Sequence, residues 1–94
     1  MTEFLVELYV SKTNCGAIAV AWERLGTAAA ELTAEGSPVR LVRTIFVPED
    51  ETCFLLVEAT TANTVRETAR RAAVACERVS ETAAGPTSDR RYYP

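Results

Sequence analysis

Two strand-like runs separated by a short polar turn lie in the middle of the chain and constrain its fold most strongly. Residues 39–47 (VRLVRTIFV) and 52–59 (TCFLLVEA) are rich in the β-branched and aromatic side chains that favour strands. Only residues 48–51 (PEDE) separate the two runs. Because strands joined by so short a loop pair side by side in opposite directions, we expect an antiparallel hairpin.

The segments before the hairpin predict a strand and a helix. Residues 3–10 (EFLVELYV) place apolar side chains alternately on one face, as a half-buried strand does. Residues 15–35 repeat apolar side chains every three or four positions, which is the spacing of a helix with one buried stripe. Gly36 follows, and we expect it to end the helix because glycine enters the left-handed conformation without strain.

The segments after the hairpin predict a second helix and a last strand. Residues 62–74 suit a helix, and residues 75–83 (ACERVSETA) alternate weakly around Val79. The order β-α-β-β-α-β with right-handed crossovers predicts a ferredoxin-like α+β sandwich, in which a four-stranded antiparallel sheet carries two helices on one face. We expect one domain over residues 1–84 and a C-terminal tail over residues 85–94.

Composition narrows the class of protein. A chain of 94 residues with 48% hydrophobic content is long enough to fold around a core of its own. The net charge is −3 and its basic residues form no stripe, so we expect no nucleic-acid partner. Cys15, Cys53 and Cys76 are widely spaced and odd in number, as in a reducing compartment. Since the chain shows neither a signal-peptide pattern nor an apolar run of about 20 residues, we expect a cytoplasmic protein outside the membrane.

The strand alternation leaves apolar side chains on the sheet face that the helices do not cover, which we call the open face. If Phe4 faces the helices, Leu5 and Tyr9 lie on the open face. The same alternation predicts Phe54 and Leu56 on one face of the third strand. In the second strand, strict alternation predicts two apolar sets on opposite faces: Leu41, Ile45 and Val47, and Val42 and Phe46.

An apolar open face indicates that something covers it. Exposed apolar patches of this kind mark interaction surfaces, and the usual symmetric solution is an isologous homodimer. The alternative is that the tail, which contains Tyr92 and Tyr93, folds back over part of the face. We expect a homodimer.

Three stretches of the chain, EFLVE, VRTIFVPEDETCFLLVEA and TANTVRETARRAA, resemble a family of small bacterial proteins of unknown function. The resemblance runs over most of residues 3–82. One member of the family is described as a nickel-binding protein, so the resemblance implies a dimer that resembles an α+β barrel and a divalent metal ion such as nickel. Glu7 and Glu58 match the family's pattern and are carried over as candidate metal ligands. Nickel is held by imidazole, thiolate or carboxylate groups, and this chain has no histidine.

Glu7 and Glu58 are also carboxylates within otherwise apolar strands, and alternation directs both to the open face. Since the first and third strands are neighbours in the expected sheet, the two carboxylates are expected to lie close together. Close carboxylates raise one another's pKa and serve as acid and base, or bind a cation. The alternative is that each forms an ion pair with Arg40, Arg43 or Arg78. We favour the ion pairs because arginines are available on the second and fourth strands.

Arg43 and Tyr9 complete the candidate ligand-binding residues. A buried Arg43 would bind a carboxylate or phosphate through two parallel hydrogen bonds, or else pair with Glu58. Tyr9 would donate a hydrogen bond into a cleft, or pack its ring and bond its hydroxyl locally.

No motif in the chain identifies a reaction, and its catalytic residues stay unknown. Without histidine there is no Ser-His-Asp or Cys-His catalysis, and the glycine-rich nucleotide motifs do not occur. The first hypothesis is a binding protein for a metal ion, such as nickel, or a small molecule at the sheet face of a dimer. The alternative is a cofactor-independent α+β-barrel enzyme, a monooxygenase, cyclase or isomerase, acting on an aromatic or polyketide-like substrate. An interaction module without a pocket is the third hypothesis.

Overall fold

The chain folds in the predicted order. The computed structural model describes residues 1–86, with strands β1 (Thr2–Tyr9), β2 (Val39–Val47), β3 (Thr52–Ala59) and β4 (Arg78–Glu81) and helices α1 (Gly16–Ala34) and α2 (Ala62–Arg71). All strand pairs are antiparallel, in the order β2-β3-β1-β4. The protein therefore has the predicted ferredoxin-like α+β fold. Most of the predicted tail, including Tyr92 and Tyr93, lies outside the described residues.

Both helices end in the same hydrogen-bonded motif. After α1, the Ser37 N–H donates to the Leu32 carbonyl, and the intervening Gly36 has a φ of 99°. After α2, the Val74 N–H donates to the Ala69 carbonyl, with Ala73 at a φ of 55°. The end of α1 before Gly36 is as predicted. Helix α2 is shorter than the expected 62–74, because Ala73 takes the left-handed position that glycine usually occupies.

The helix side of the sheet forms the core. Phe4, Val6 and Leu8 of β1 are at most 4% exposed, as are Leu55 and Val57 of β3. The expected inward face of β1 is therefore confirmed, and β3 alternates as predicted, with Leu55 and Val57 on the helix side. These side chains pack against apolar residues of the two helices: Leu25, Ala28, Ala29, Leu32, Val65 and Ala69.

β2 departs from strict alternation through a bulge. Leu41 and Arg43 pair with consecutive residues of β3, so Val42 is an extra residue between them. After the bulge, Phe46 packs against the core, whereas Ile45 is 39% exposed on the open face. The predicted apolar sets of this strand are wrong, because the bulge reverses the alternation and places Leu41 and Phe46 on the same, helix-covered side.

An ion-pair cluster joins the C-terminal ends of the helices. Arg71 lies 2.7 Å from a Glu35 carboxylate oxygen and 3.0 Å from one of Glu67, and Arg70 lies 2.6 Å from Glu67. Hydrogen bonds from Arg70 and then Arg71 lower the pKa of Glu67 to about 2. The Arg71 hydrogen bond also lowers the pKa of Glu35. The cluster connects α1 to α2 on the surface away from the sheet.

Within residues 1–86, no helix is both long and apolar enough to cross a membrane.

Candidate functional site

The centre of the open face is apolar, and the strand register defines its geometry. Leu5 of β1 lies directly opposite Leu56 of β3, and Ile45 of β2 lies directly opposite Phe54 of β3. Side chains directly opposite in an antiparallel pair are about 5 Å apart, so these four residues form one surface, which we call the central patch. Leu5, Phe54 and Leu56 are partly buried, and Ile45 is exposed. Within residues 1–86, the open face is therefore incompletely covered.

Glu58 lies at one edge of the central patch in an ion pair with Arg40. The two residues are directly opposite in the β2–β3 register, and the Arg40 Nε and Nη2 atoms are each 2.7 Å from Glu58 Oε1. The favoured interpretation of Glu58 as an ion-pair partner is confirmed. Because the Arg40 side chain is 66% exposed, solvent screens the pair and its contribution to stability is about 1 kcal/mol or less.

Glu7 lies on the open face next to β4. Arg78 is its direct neighbour in the β1–β4 register, and Arg78 Nε is 3.9 Å from Glu7 Oε2. This distance allows an ion pair but is too long for a hydrogen bond. The predicted pairing of Glu7 with Arg78 is confirmed in this looser form.

Glu7 and Glu58 do not come together. Glu58 lies opposite Glu3, whereas Glu7 lies opposite Phe54, so the two carboxylates are separated by four residues along the sheet, about 13 Å. The predicted proximity is wrong because antiparallel pairing places the end of β3 beside the start of β1. Each carboxylate also has an arginine beside it, so the two do not form an acid–base pair.

Glu3 is the open-face carboxylate that the sequence interpretation missed. It lies directly opposite Glu58, and its Oε1 atom accepts a hydrogen bond from Thr82 Oγ1 at 2.9 Å. The predicted strand over residues 3–10 would have paired Glu58 with Phe4, but β1 begins one residue earlier, at Thr2, and this shift places Glu3 opposite Glu58.

The described side chains do not fit the nickel site that the family resemblance implies. Residues 1–86 contain no group of three or more histidine, cysteine, aspartate or glutamate side chains placed to hold a metal ion. Cys15, Cys53 and Cys76 are free thiols, and burial raises the pKa of Cys53. Glu7 and Glu58, the candidate ligands, are too far apart to bind one ion together.

Arg43 lies on the open face, exposed rather than buried, and directly opposite Leu56. The predicted alternative that it pairs with Glu58 is wrong, because Arg40 occupies that carboxylate. Within residues 1–86, Arg43 makes neither an ion pair nor a side-chain hydrogen bond. It is therefore an uncompensated positive charge next to the central patch.

Tyr9 ends β1 away from the central patch and is 62% exposed. It borders a shallow groove of about 470 Å³ on the helix side of the molecule, between the start of α1 and the loop after α2. Small or apolar residues, including Ala17, Val20 and Ala75, line most of this groove. The structure thus places Tyr9 beside a cleft but does not bring it together with Arg43 or Glu58.

Comparisons with known proteins add no family to this description. A scan against protein-family models, a search of curated proteins and a search of solved structures each found no match. The function of this ferredoxin-like chain is therefore argued from the geometry of its open face.

Proposed function

We propose that this protein is a binding protein that works as a homodimer and holds a small molecule between the open faces of two copies. The observation that carries the proposal is the central patch, formed by Leu5, Ile45, Phe54 and Leu56. Contiguous apolar side chains on an otherwise solvated sheet face are typical of an interaction surface. A second copy presents the same patch, so an isologous pair covers both at once.

The charges around the central patch support the same proposal. The Arg40–Glu58 pair and the Glu7–Arg78 pair lie on opposite sides of the patch, on the outer strand pairs of the sheet. An apolar centre with a charged rim is the usual anatomy of a protein interface. The rim pairs are already neutral, so a second copy meets little unbalanced charge there.

A binding role agrees better with this geometry than the alternative of a cofactor-independent enzyme. Such an enzyme needs a group on the open face that gains or loses a proton during the reaction. The two candidate carboxylates, Glu7 and Glu58, are separated along the sheet and each lies in an ion pair. They are more suitable for the rim of an interface than for acid–base catalysis.

Sedimentation velocity tests the dimer. Over about 1–100 µM, we expect a concentration-dependent dimer, and Phe54→Asp should raise its dissociation constant about a hundredfold because the interface buries an unpaired charge. Val20→Asp is the matched control, since Val20 is a 50% exposed apolar residue on helix α1. A wild type that stays monomeric at the highest concentration, or an equal increase in the dissociation constant of both variants, would contradict the proposal.

Thermal denaturation tests the ligand. A panel of small aromatic and aliphatic molecules should contain compounds that raise the melting temperature of the wild type, because ligands stabilise the state they bind. The same compounds should have no effect on Leu56→Asp. A melting-temperature increase with nickel alone that disappears in Glu7→Gln would instead support the metal-binding function of the resembling family.

A further inference from the structure

The bulge in β2 directs Arg43 to the open face. Leu41 packs on the helix side, and strict alternation would place Arg43 on that same side. Val42 is the extra residue, so Arg43 instead pairs opposite Leu56 among the open-face residues. Bulges are frequent next to binding sites, where they redirect a side chain. The redirection here brings a guanidinium group to the edge of the central patch.

Arg43 differs from the other open-face arginines of residues 1–86 in its cross-strand neighbour. Arg40 lies opposite Glu58, and Arg78 lies opposite Glu7, so both have a carboxylate beside them. Arg43 lies opposite Leu56 and makes no ion pair within the described part of the chain. Arg40 and Arg78 are thus compensated within one copy, whereas Arg43 has no such partner among residues 1–86.

If the open face is covered, the lack of an ion pair for Arg43 within residues 1–86 becomes energetically important. A guanidinium group carries five N–H donors and stays charged at every physiological pH. If a second copy excludes water from Arg43, the charge requires an anion, because an unpaired buried charge is strongly destabilising. Leu56 lies directly opposite Arg43 on β3, and Ile45 lies two residues beyond Arg43 on β2. The anion would therefore lie at the border of an apolar surface.

We propose that Arg43 is the anion anchor of the ligand, and that the ligand is an apolar molecule with one carboxylate, sulfonate or phosphate group. This inference rests on the proposed dimer and names the chemical class of its ligand. The apolar part lies on Ile45, Phe54 and Leu56, and the acidic group accepts two parallel hydrogen bonds from Arg43. The Glu3 carboxylate of a second copy is the competing anion, because within residues 1–86 its side chain accepts a hydrogen bond only from the neutral Thr82 hydroxyl.

A matched pair of fluorescent probes tests the anchor. 1-Anilinonaphthalene-8-sulfonate and N-phenyl-1-naphthylamine have the same aromatic rings, but only the first carries an anion. We expect the wild-type dimer to bind the sulfonate more tightly, and Arg43→Gln to weaken sulfonate binding about tenfold or more while the neutral probe is unaffected. Arg43→Lys should retain part of the preference. Arg40→Gln is the control, because it removes an arginine that Glu58 already occupies.

The variants are compared at equal secondary structure by circular dichroism and at known oligomeric state by sedimentation. An Arg43→Gln dimer with an unchanged preference for the sulfonate would overturn the anchor and leave the dimer standing. Equal weakening of both probes would also overturn it, since Arg43 would then support the surface rather than bind the anion. Dissociation of Arg43→Gln without a change in probe preference would also overturn the anchor, because Arg43 would then contribute to the contact between the copies instead of binding the anion. A wild type that is monomeric would overturn the proposed dimer itself.

Discussion

Leu55 and Leu56 are consecutive residues of β3, yet their side chains lie on opposite faces of one sheet. Leu55 is 2% exposed under the helices, whereas Leu56 is only partly buried on the open face. The helix-covered face is closed within a single copy and stabilises its fold. The open face has a similar apolar character at its centre but lacks a cover in residues 1–86. The difference agrees with the proposal that one face serves folding and the other association.

The largest expected effect separates these two leucines. Leu55→Ala should lower the free energy of unfolding by about 3 kcal/mol, because it leaves a cavity in a packed core. Leu56→Ala should cost the isolated copy about 1 kcal/mol or less, since its side chain is already partly in water. Urea denaturation at low protein concentration measures both. Equal losses would mean that the open face contributes to the fold as much as the core does.

A second comparison tests the bulge in β2. Phe46→Ala should lower the free energy of unfolding by about 2 kcal/mol, because the ring packs against the core. Ile45→Ala should cost about 1 kcal/mol or less in an isolated copy, because Ile45 faces the open side. The reverse order, again by urea denaturation, would contradict the bulge and restore strict alternation.

The smallest effect concerns the contribution of the helix ion-pair cluster to acid stability. The pKa of Glu67 is lowered to about 2 from 4.5 by Arg70 and Arg71. A lowered pKa in the folded state stabilises the protein above about pH 4.5, and this contribution is lost as the pH falls towards 2. Glu67→Gln should therefore lower the melting temperature at neutral pH but change it little at the acid end.

Glu23→Gln is the control for acid stability, because it removes an exposed carboxylate that makes no ion pair within residues 1–86. An equal decrease in the melting temperature of Glu67→Gln at all pH values would show that the ion-pair cluster does not control acid stability.

Much of the fold could be predicted from alternation and turn chemistry, because those signals are local. The inward and outward faces of β1 and β3 follow from the period-two pattern, and Gly36 marks the end of α1. The bulge at Val42 could not be predicted in this way. An extra residue has no composition signal, yet it reverses the face of every following side chain in β2.

The candidate site was predicted less completely, because it depends on register between distant segments. Glu58 was expected to form an ion pair with Arg40, Arg43 or Arg78, and its partner is Arg40. Glu7 and Glu58 were expected to lie close together because β1 and β3 are neighbouring strands. The register between those strands, which local patterns do not reveal, places them apart. The uncompensated charge of Arg43 emerges only when the bulge and the register are combined.

The bulge in β2 disfavours pairing between the sheet edges of two copies of this chain. β2 is the edge strand beyond β3, and a long flat edge offers free backbone groups on which another strand can grow. The extra residue at Val42 breaks that regular edge, and the neighbouring Arg43 places a positive charge beside it. Edge-to-edge growth into fibres is thereby discouraged, which leaves the proposed face-to-face dimer, a pair that closes after two copies, as the form of self-association that does not propagate.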